Sequence, residues 1–336
     1  MKRWFGVLFI VLMLCSGCQN GAGNRWQLAE SARTAMAEEN YSLAVEYYDQ
    51  LVEMELEDSG IFNDRGAAKL ELQEYSSALE DLEKAVELDN TNPTYWYNLG
   101  LCRSLLNDYE GGVEAFTQAL LLEPEYAECL GQRGVSYAHL GEEELAELDI
   151  EAVGRLNPES QSAFWAELGS IYMEKCLYNK AEEAFGRAIS LEVNNAELYL
   201  QRANVYMLTQ EYKKAQEDLV RAIDMQESFL AGYELMGDLY YIQQEYKQAI
   251  AYYSVALLEE ADYLGHLNRG CCYHALGEFE EAEADFTAAI LMEPESAAAY
   301  NCRAQVREEL GNVDGAKEDY KKAKDILEEG AKENGK

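Results

Sequence analysis

The segment SAFWAELGSIYMEKCLYNKAEEAFGRAISLEVNN, residues 162–195, decides the fold. Its apolar residues recur at steps of three and four, first at Trp165 and Leu168 and then at Ala181 and Phe185. Such steps place each set of side chains on one face of a helix. The segment therefore predicts two short amphipathic helices, and the small side chain of Ala181 allows their backbones to approach closely.

The alanine of this segment recurs along the chain at nearly constant spacing. The equivalent positions are Ala44, Ala78, Gly112, Ala146, Ala181, Ala215, Ala249, Ala282 and Ala316. Successive members lie 34 residues apart, except for one step of 35 and one of 33. A fixed period of this length indicates a repeat protein, in which one supersecondary unit is stacked many times.

These residues resemble the tetratricopeptide repeat, and residues 162–195 show its pattern most fully, although Val193 stands where the family usually has proline. The resemblance implies an all-α fold, an α-solenoid wound as a right-handed superhelix of about nine helix-turn-helix repeats. With the alanine at position twenty, the expected repeats are 25–58, 59–92, 93–126, 127–160, 162–195, 196–229, 230–262, 263–296 and 297–330, and residues 331–336 form a polar tail.

The amino-terminal residues resemble a bacterial export leader. Lys2 and Arg3 precede an apolar run over residues 4–14, which is short for a membrane span and typical of a signal peptide. The small residues before Cys18 resemble a lipobox, in which the cysteine sulfur receives a diacylglyceryl group. The family prefers leucine where this chain has Cys15.

This resemblance predicts a lipoprotein signal peptide over residues 1–17 and a lipidated cysteine with a polar tether over residues 18–24. An ordinary cleaved signal or an uncleaved anchor is the alternative. In each case the basic end stays inside, which places the repeats outside the cytoplasm. The expected location is the outer side of the cytoplasmic membrane or the outer membrane.

The chain is strongly acidic, with 63 Asp and Glu against 27 Lys and Arg and a net charge of −36. Its field repels nucleic acid and anionic headgroups, so a nucleic-acid partner is not expected. Two interpretations remain for the charge. It provides a well-solvated surface, or it selects a cationic partner.

The sequence predicts no catalytic residue, no cofactor and no metal site. It contains no nucleophile elbow, HExxH motif or phosphate-binding glycine loop. The single metal-like pattern combines His266, Cys271, Cys272 and His274, and no carboxylate completes it. Enzymatic activity through an unrecognised site remains an alternative, which turnover by the purified chain alone would establish.

Six cysteines follow Cys18, at irregular positions of the repeat: Cys102, Cys129, Cys176, Cys271, Cys272 and Cys302. A long solenoid needs no disulfide framework, so we expect these residues to be mostly reduced and buried. A bridge between Cys272 and Cys302, in adjacent repeats, is the alternative.

Positions seven and twenty-three of the repeat vary together. Five repeats have arginine at the first and aspartate at the second, as Arg65–Asp81, Arg133–Asp149, Arg202–Asp218, Arg269–Asp285 and Arg303–Asp319. The other four repeats lack both residues, so the aspartates of repeats two, four and six cannot pair with the repeat that follows. The covariation predicts a structural, bidentate ion pair inside each of the five repeats.

Positions two, five, nine, twelve and thirteen of each first helix lie opposite its core side by helical angle, and we call them the inner stripe. In tetratricopeptide repeat proteins this stripe lines a concave groove that holds a peptide or helix. Its candidate partner-binding residues are Tyr97, Leu101, Leu105, Val135, Met173, Leu200, Met207, Leu208, Tyr241, Ile242 and Leu267, with Trp26, Met36, Leu70 and Leu264 as further apolar members.

Two interpretations of the inner stripe are open. Its apolar side chains fill contacts between adjacent helices, or they bind an extended or helical segment of another protein. In the second case the neighbouring acids favour a basic sequence, and they are Glu71, Glu128, Glu174, Glu197, Glu234 and Asp238. The lysines that some family members use to clamp an acidic chaperone tail are missing.

The sequence therefore predicts a lipid-anchored scaffold or adaptor of the bacterial cell envelope that binds a partner protein. The alternative is a regulatory subunit of an envelope enzyme, or of a machine for secretion, pilus assembly or outer-membrane assembly. Activation of one co-purifying enzyme would favour the regulatory subunit.

Overall fold

The structure is a computed structural model that describes residues 24–54, 57–226 and 230–333. These ranges form eighteen α-helices and no strand. The helices are α1 (24–37), α2 (Tyr41–Glu53), α3 (Ser59–Glu71), α4 (Tyr75–Leu88), α5 (Pro93–Leu105), α6 (Tyr109–Leu122), α7 (Ala127–Leu140), α8 (Glu143–Leu156), α9 (Pro158–Glu174), α10 (Tyr178–Leu191), α11 (Ala196–Leu208), α12 (Tyr212–Met225), α13 (Leu230–Ile242), α14 (Tyr246–Glu259), α15 (Tyr263–Leu276), α16 (Phe279–Met292), α17 (Ala297–Glu309) and α18 (Val313–Glu333).

The helices follow one another as nine pairs, and the predicted all-α fold of helix-turn-helix repeats is confirmed. Within a pair, small residues permit close contact. Ala181 is fully buried, and a Cβ added to Gly169 would lie 2.8 Å from the ring of Phe185. The same clash would arise between Gly100 and Phe116, at 2.6 Å. A larger side chain at either glycine would force the two helices of the pair apart.

The turn inside every pair contains one residue with a left-handed backbone. That residue is position fifteen in all nine repeats, with φ between 58° and 82°. The nine residues are Glu39, Gln73, Asn107, Gly141, Cys176, Gln210, Gln244, Gly277 and Gly311. Only three of them are glycine, the residue for which this conformation costs least.

The two irregular steps of the alanine spacing have different structural outcomes. The helix α9 begins at Pro158 and has 17 residues, whereas α5 and α11 have 13, so α9 takes up the extra residue and three residues that form the loop in other repeats. The missing residue shortens the loop between α14 and α15 to residues 260–262. Proline is tolerated at the start of α9 because the first turn needs no backbone donor there.

The described residues divide into two compact bodies, an amino-terminal one up to Glu167 and a carboxy-terminal one from Leu168, and the division falls within α9. The last helix continues to Glu333, so the expected polar tail over residues 331–336 begins as helix. No helix in the described ranges combines the length and the apolar character needed to cross a membrane.

Candidate functional site

The structure brings together all five arginine–aspartate pairs that the covariation predicts. In each pair the guanidinium Nε donates to one carboxylate oxygen at 2.7–2.9 Å, and Nη2 donates to the other. The aspartates are buried, with only 3–6 % of their surface exposed. The paired helices thus hold a desolvated, bidentate ion pair at their contact.

Each of these arginines also faces the preceding repeat, a contact that the sequence analysis missed. The remaining nitrogen, Nη1, donates to a side chain at position twenty-five of that repeat. The bonds are Arg65 to Asp49 at 2.8 Å, Arg133 to Thr117 at 3.3 Å, Arg269 to Ser254 at 3.0 Å and Arg303 to Thr287 at 3.1 Å. The fifth arginine, Arg202, faces Gly186, which has no side chain to accept a bond.

Successive first helices contact each other through polar side chains within each body. In the amino-terminal body Asn98 donates to Asn63 at 2.8 Å. In the carboxy-terminal body the Asn268 amide donates to Asp238 at 3.3 Å. The first helices of neighbouring repeats therefore lie side by side, and their inner-stripe residues form a continuous surface across each such contact.

The inner stripe divides into three groups by exposure. Val135 and Leu200 are buried and offer no surface to a partner. Tyr97, Leu101, Met173, Met207 and Leu267 are half-buried. Leu105, Leu208, Tyr241 and Ile242 are 41–55 % exposed, and they occupy positions twelve and thirteen, at the carboxy-terminal end of their helices. Of the further members, Trp26 and Leu264 are also exposed.

Tyr97, in the amino-terminal body, belongs partly to the core. Its ring lies 4.9 Å from that of Tyr126 and 6.0 Å from that of Phe116. Burial raises the pKa of its hydroxyl to about 12. Most of this ring already has partners within its own body, so it offers a neighbouring molecule little free surface.

In the carboxy-terminal body, two acids of α13 lie among further acids. Burial raises the pKa of the Glu234 carboxyl, and the like charges of Asp262, Asp238 and Glu260 raise it further. Burial also raises the pKa of Asp238, although the Tyr253 hydroxyl donates to it at 2.6 Å. No base is among the groups that shift the pKa of Glu234 or of Asp238. Negative charge is therefore concentrated here without compensation.

Exposed apolar side chains lie on the same helix. Glu234, Asp238 and Tyr241 follow each other at steps of four and three, which places them on one face of α13. Ile242 is 48 % exposed, and Leu208 occupies the same position in the preceding repeat with 55 % exposed. We call these five residues the acidic–apolar patch. They combine uncompensated carboxylates with apolar surface.

The cysteines correct one expectation. Cys272 is fully buried in a cluster with Ala249 and Tyr253. It is Cys271 that lies beside Cys302, because both side chains pack on the cluster around Phe286 and each thiol shifts the pKa of the other. A bridge between Cys272 and Cys302 was the alternative expected from the sequence. In the structure Cys271, and not Cys272, is the neighbour of Cys302. All six cysteines in the described ranges are free thiols.

The metal-like pattern does not come together. The Nδ1 atom of His266 lies 2.9 Å from Asp285, which already binds Arg269. Among the residues that the structure describes, no group of three or more His, Cys, Asp or Glu side chains could hold a metal ion. The predicted lipidation site, Cys18, lies outside the described residues.

Several segments of the chain match known repeat families. Residues 66–102 match a family model described as TPR repeat, and residues 93–126, 162–195, 196–229 and 263–296 match models described as tetratricopeptide repeat. No curated protein matches the chain significantly.

Solved structures are similar in fold at low identity. A tetratricopeptide repeat protein from Parabacteroides merdae has a TM-score of 0.53 at 20 % identity, covering 76 % of this chain and 98 % of its own. The C-terminal part of a TPR repeat-containing protein from Cytophaga hutchinsonii has 0.48 at 18 %, covering 81 % and 97 %. YrrB, a TPR protein with an unusual peptide-binding site, has 0.42 at 22 %, covering 56 % and 97 %.

Proposed function

Because the chain belongs to the tetratricopeptide repeat family, we propose that it is a protein-binding scaffold of the bacterial cell envelope. Its acidic–apolar patch, formed by Leu208, Glu234, Asp238, Tyr241 and Ile242, takes a segment of a partner protein. The partner segment is amphipathic, with lysine or arginine beside apolar side chains. The binding itself is the activity, and it requires no cofactor.

The observation that carries this proposal is the pairing of unneutralised acids with exposed apolar surface on α13. A cationic side chain placed beside Glu234 and Asp238 would relieve the repulsion that raises the pKa of Glu234. Apolar side chains beside Tyr241 and Ile242 would remove apolar surface from water, at about 25 cal/mol per Å². A neutral or acidic segment would gain only the second contribution.

A synthetic peptide that alternates leucine pairs with lysine pairs, labelled with fluorescein, tests the binding site. We expect it to bind the full chain, and the Leu/Glu counterpart not to bind. Replacing both acids, as Glu234→Gln with Asp238→Asn, should weaken binding at least about tenfold, which corresponds to about 1.4 kcal/mol. Fluorescence anisotropy measures both affinities.

The matched control removes the same two charges from the second helix of a neighbouring repeat, as Glu217→Gln with Asp224→Asn, where both acids are exposed. We expect this variant to bind almost as the unmodified chain does. If it loses as much affinity as the α13 variant, the peptide responds to net charge alone and the proposed site is wrong. Equal binding of the Leu/Glu peptide would also overturn it.

The dependence on pH gives a second test of the same site. Burial raises the pKa of both Glu234 and Asp238, so each takes up a proton at a higher pH than an exposed carboxyl does. Binding of the Leu/Lys peptide should therefore weaken as the pH falls, and it should begin to do so above the range in which exposed carboxyl groups titrate. The double amide variant should bind weakly throughout and show little of this change.

Anchoring to the membrane is the second component of the proposal, and the leader sequence supports it. The basic residues Lys2 and Arg3, the apolar run and the small residues before Cys18 favour lipidation of that cysteine. Incorporation of radiolabelled palmitate in a bacterial host should disappear in Cys18→Ser and persist in Cys15→Ser. Labelling that survives Cys18→Ser would contradict the proposed attachment site.

A further inference from the structure

Positions nine and six of adjacent first helices face each other in the carboxy-terminal body. The contact between Asp238 and Asn268, at 3.3 Å, joins position nine of the seventh repeat to position six of the eighth. One repeat further on, the same two positions are Cys271 on α15 and Cys302 on α17. The repeat geometry therefore directs two thiols at one another.

The surroundings of the two cysteines agree with this geometry. Both side chains pack against the same cluster, which contains Phe286 and Val306. Each thiol shifts the pKa of the other, and both residues are half-buried, so each remains within reach of a small reagent. A disulfide requires Cα atoms about 4.4–6.8 Å apart, a separation that facing positions of two packed helices can reach.

We propose that Cys271 and Cys302 are a redox-active pair that forms a reversible disulfide between α15 and α17. The structure shows the reduced form. The oxidant is a disulfide, either a small one such as oxidised glutathione or the active-site disulfide of an oxidoreductase. The bridge would tie the eighth repeat to the ninth through their first helices.

The chemistry is a two-step thiol–disulfide exchange. The thiolate of Cys302 attacks one sulfur of the external disulfide, whose S–S bond breaks to release one thiolate and leave a mixed disulfide on Cys302. Cys271 then loses its proton, and its sulfur attacks the Cys302 sulfur and expels the second thiolate. The two cysteine protons end on the two released thiols, so two thiols are oxidised and one disulfide is reduced.

The environment assigns the two steps to different residues. Interaction with the Cys271 thiol lowers the pKa of the Cys302 thiol, so Cys302 is the better attacking group at neutral pH. The same interaction and burial raise the pKa of Cys271, which suits the residue that resolves the mixed disulfide. Cys272 is fully buried beside Ala249 and Tyr253, away from the pair.

Mass spectrometry of the oxidised full chain tests the proposal. The chain is equilibrated with mixtures of oxidised and reduced glutathione, the remaining thiols are alkylated, and the protein is digested with trypsin. Residues 270–303 contain no internal lysine or arginine, so one peptide holds Cys271, Cys272 and Cys302. We expect this peptide to lose two hydrogens and to carry one alkyl group, located on Cys272 by fragmentation.

Three variants identify the bridge. Cys272→Ala should still form it, whereas Cys271→Ser and Cys302→Ser should not, and Cys271→Ser should retain glutathione on Cys302. Circular dichroism confirms that each variant is folded before oxidation. Oxidation should also raise the denaturant midpoint of the unmodified chain and of Cys272→Ala, but not of the two serine variants.

The proposal fails if the peptide keeps three alkyl groups in the most oxidising mixture, or if a bridge to Cys272 replaces the expected one. Glutathione that remains on Cys302 in the unmodified chain, without closure by Cys271, would also overturn it. None of these readouts involves a partner protein. Their outcome is therefore independent of peptide binding at the acidic–apolar patch.

Discussion

Equivalent residues of different repeats predict some side-chain contacts and miss others. The arginine–aspartate pairs could be predicted because both residues appear and disappear together, and only one geometry lets them do so. The bond from the same arginine to the preceding repeat was not predicted. Its acceptor is aspartate, threonine or serine in different repeats, so no single residue type marks the position.

The pair between Arg202 and Asp218 can be measured most cleanly, because this arginine has no acceptor at position twenty-five of the preceding repeat. Arg202→Ala leaves a buried carboxylate without its partner and should cost about 3 kcal/mol of the free energy of unfolding. Asp218→Ala in the same background should add little. Urea denaturation of the four proteins gives the cycle, and additive losses would contradict a direct pair.

A hydrogen-bond acceptor for the Nη1 atom of Arg202 can also be introduced, at Gly186. A Cβ added to Gly186 meets only the Nη1 atom of Arg202, at 3.7 Å, so the site has room for a serine. Gly186→Ala should raise the free energy of unfolding by about 1 kcal/mol through helix propensity. Gly186→Ser should match or exceed that gain, since its hydroxyl accepts the hydrogen bond. A serine variant clearly less stable than the alanine variant would show that no bond forms.

Exposure along the inner stripe could not be read from helical angle alone. Leu200 at position five and Val135 at position nine are buried, whereas Leu208 and Ile242 at position thirteen are exposed. Positions six and nine of a first helix meet the neighbouring first helix, as Asn268 and Asp238 do, and the last turn lies beyond that contact. The angle predicts the face of one helix, but exposure depends on the helix beside it.

Between the two helices of each repeat, the left-handed backbone at position fifteen is the feature that is hardest to predict from the sequence. Gly141, Gly277 and Gly311 indicate a left-handed residue there, and the other six repeats have larger side chains with the same backbone. Stacking with neighbouring repeats overrides the local preference of a residue such as Gln73. The glycines at position fifteen of three repeats were the one sign in the sequence that the other six repeats have the same backbone there.

Substitutions to glycine and from glycine test the free-energy cost of the left-handed backbone at position fifteen. Gln73 is exposed, and Gln73→Gly should raise the free energy of unfolding by about 0.5–1 kcal/mol because glycine adopts positive φ without strain. Gly141→Ala should lower it by about 1 kcal/mol, although an added Cβ would meet no atom within 4 Å.

Thermal denaturation measures both changes, with Asn107→Gly as the control. Asparagine tolerates the left-handed region better than glutamine does, so the control should gain less than Gln73→Gly. If Gln73→Gly proves neutral while Gly141→Ala is strongly destabilising, the turn does not impose the same backbone on the two repeats.

The fold of the chain was predictable because one pattern is repeated nine times. A position that departs from the pattern in one repeat can be assigned from the other repeats. The division into two bodies within α9 was not predictable. The extra residue near Ser160 was visible in the spacing, but the spacing does not say whether a loop or a helix absorbs it. Glu234 and Asp238 could also be identified from the sequence as acids beside the inner stripe, but their burial could not.

The net charge of −36 gives a prediction for the whole chain. Acids outnumber bases by more than two to one, so repulsion between like charges outweighs the attraction of surface ion pairs. Raising the ionic strength from about 0.01 M to about 0.5 M shortens the Debye length and should raise the melting temperature. Calorimetry in sodium chloride measures this shift. A lower melting temperature at high salt would mean that the ion pairs dominate.

The helix α18 carries a base at a position of the repeat that faces a neighbouring helix elsewhere in the chain. Position twenty-five of a second helix faces the first helix of the next repeat, as the bond between Arg303 and Thr287 illustrates. In α18 that position is Lys321, and Lys317 and Lys324 lie on the same face and are exposed. An apolar surface packed on this face would have to bury three ammonium groups. Two such faces brought together would repel each other through these charges, so this side of α18 disfavours contact with an identical copy of itself.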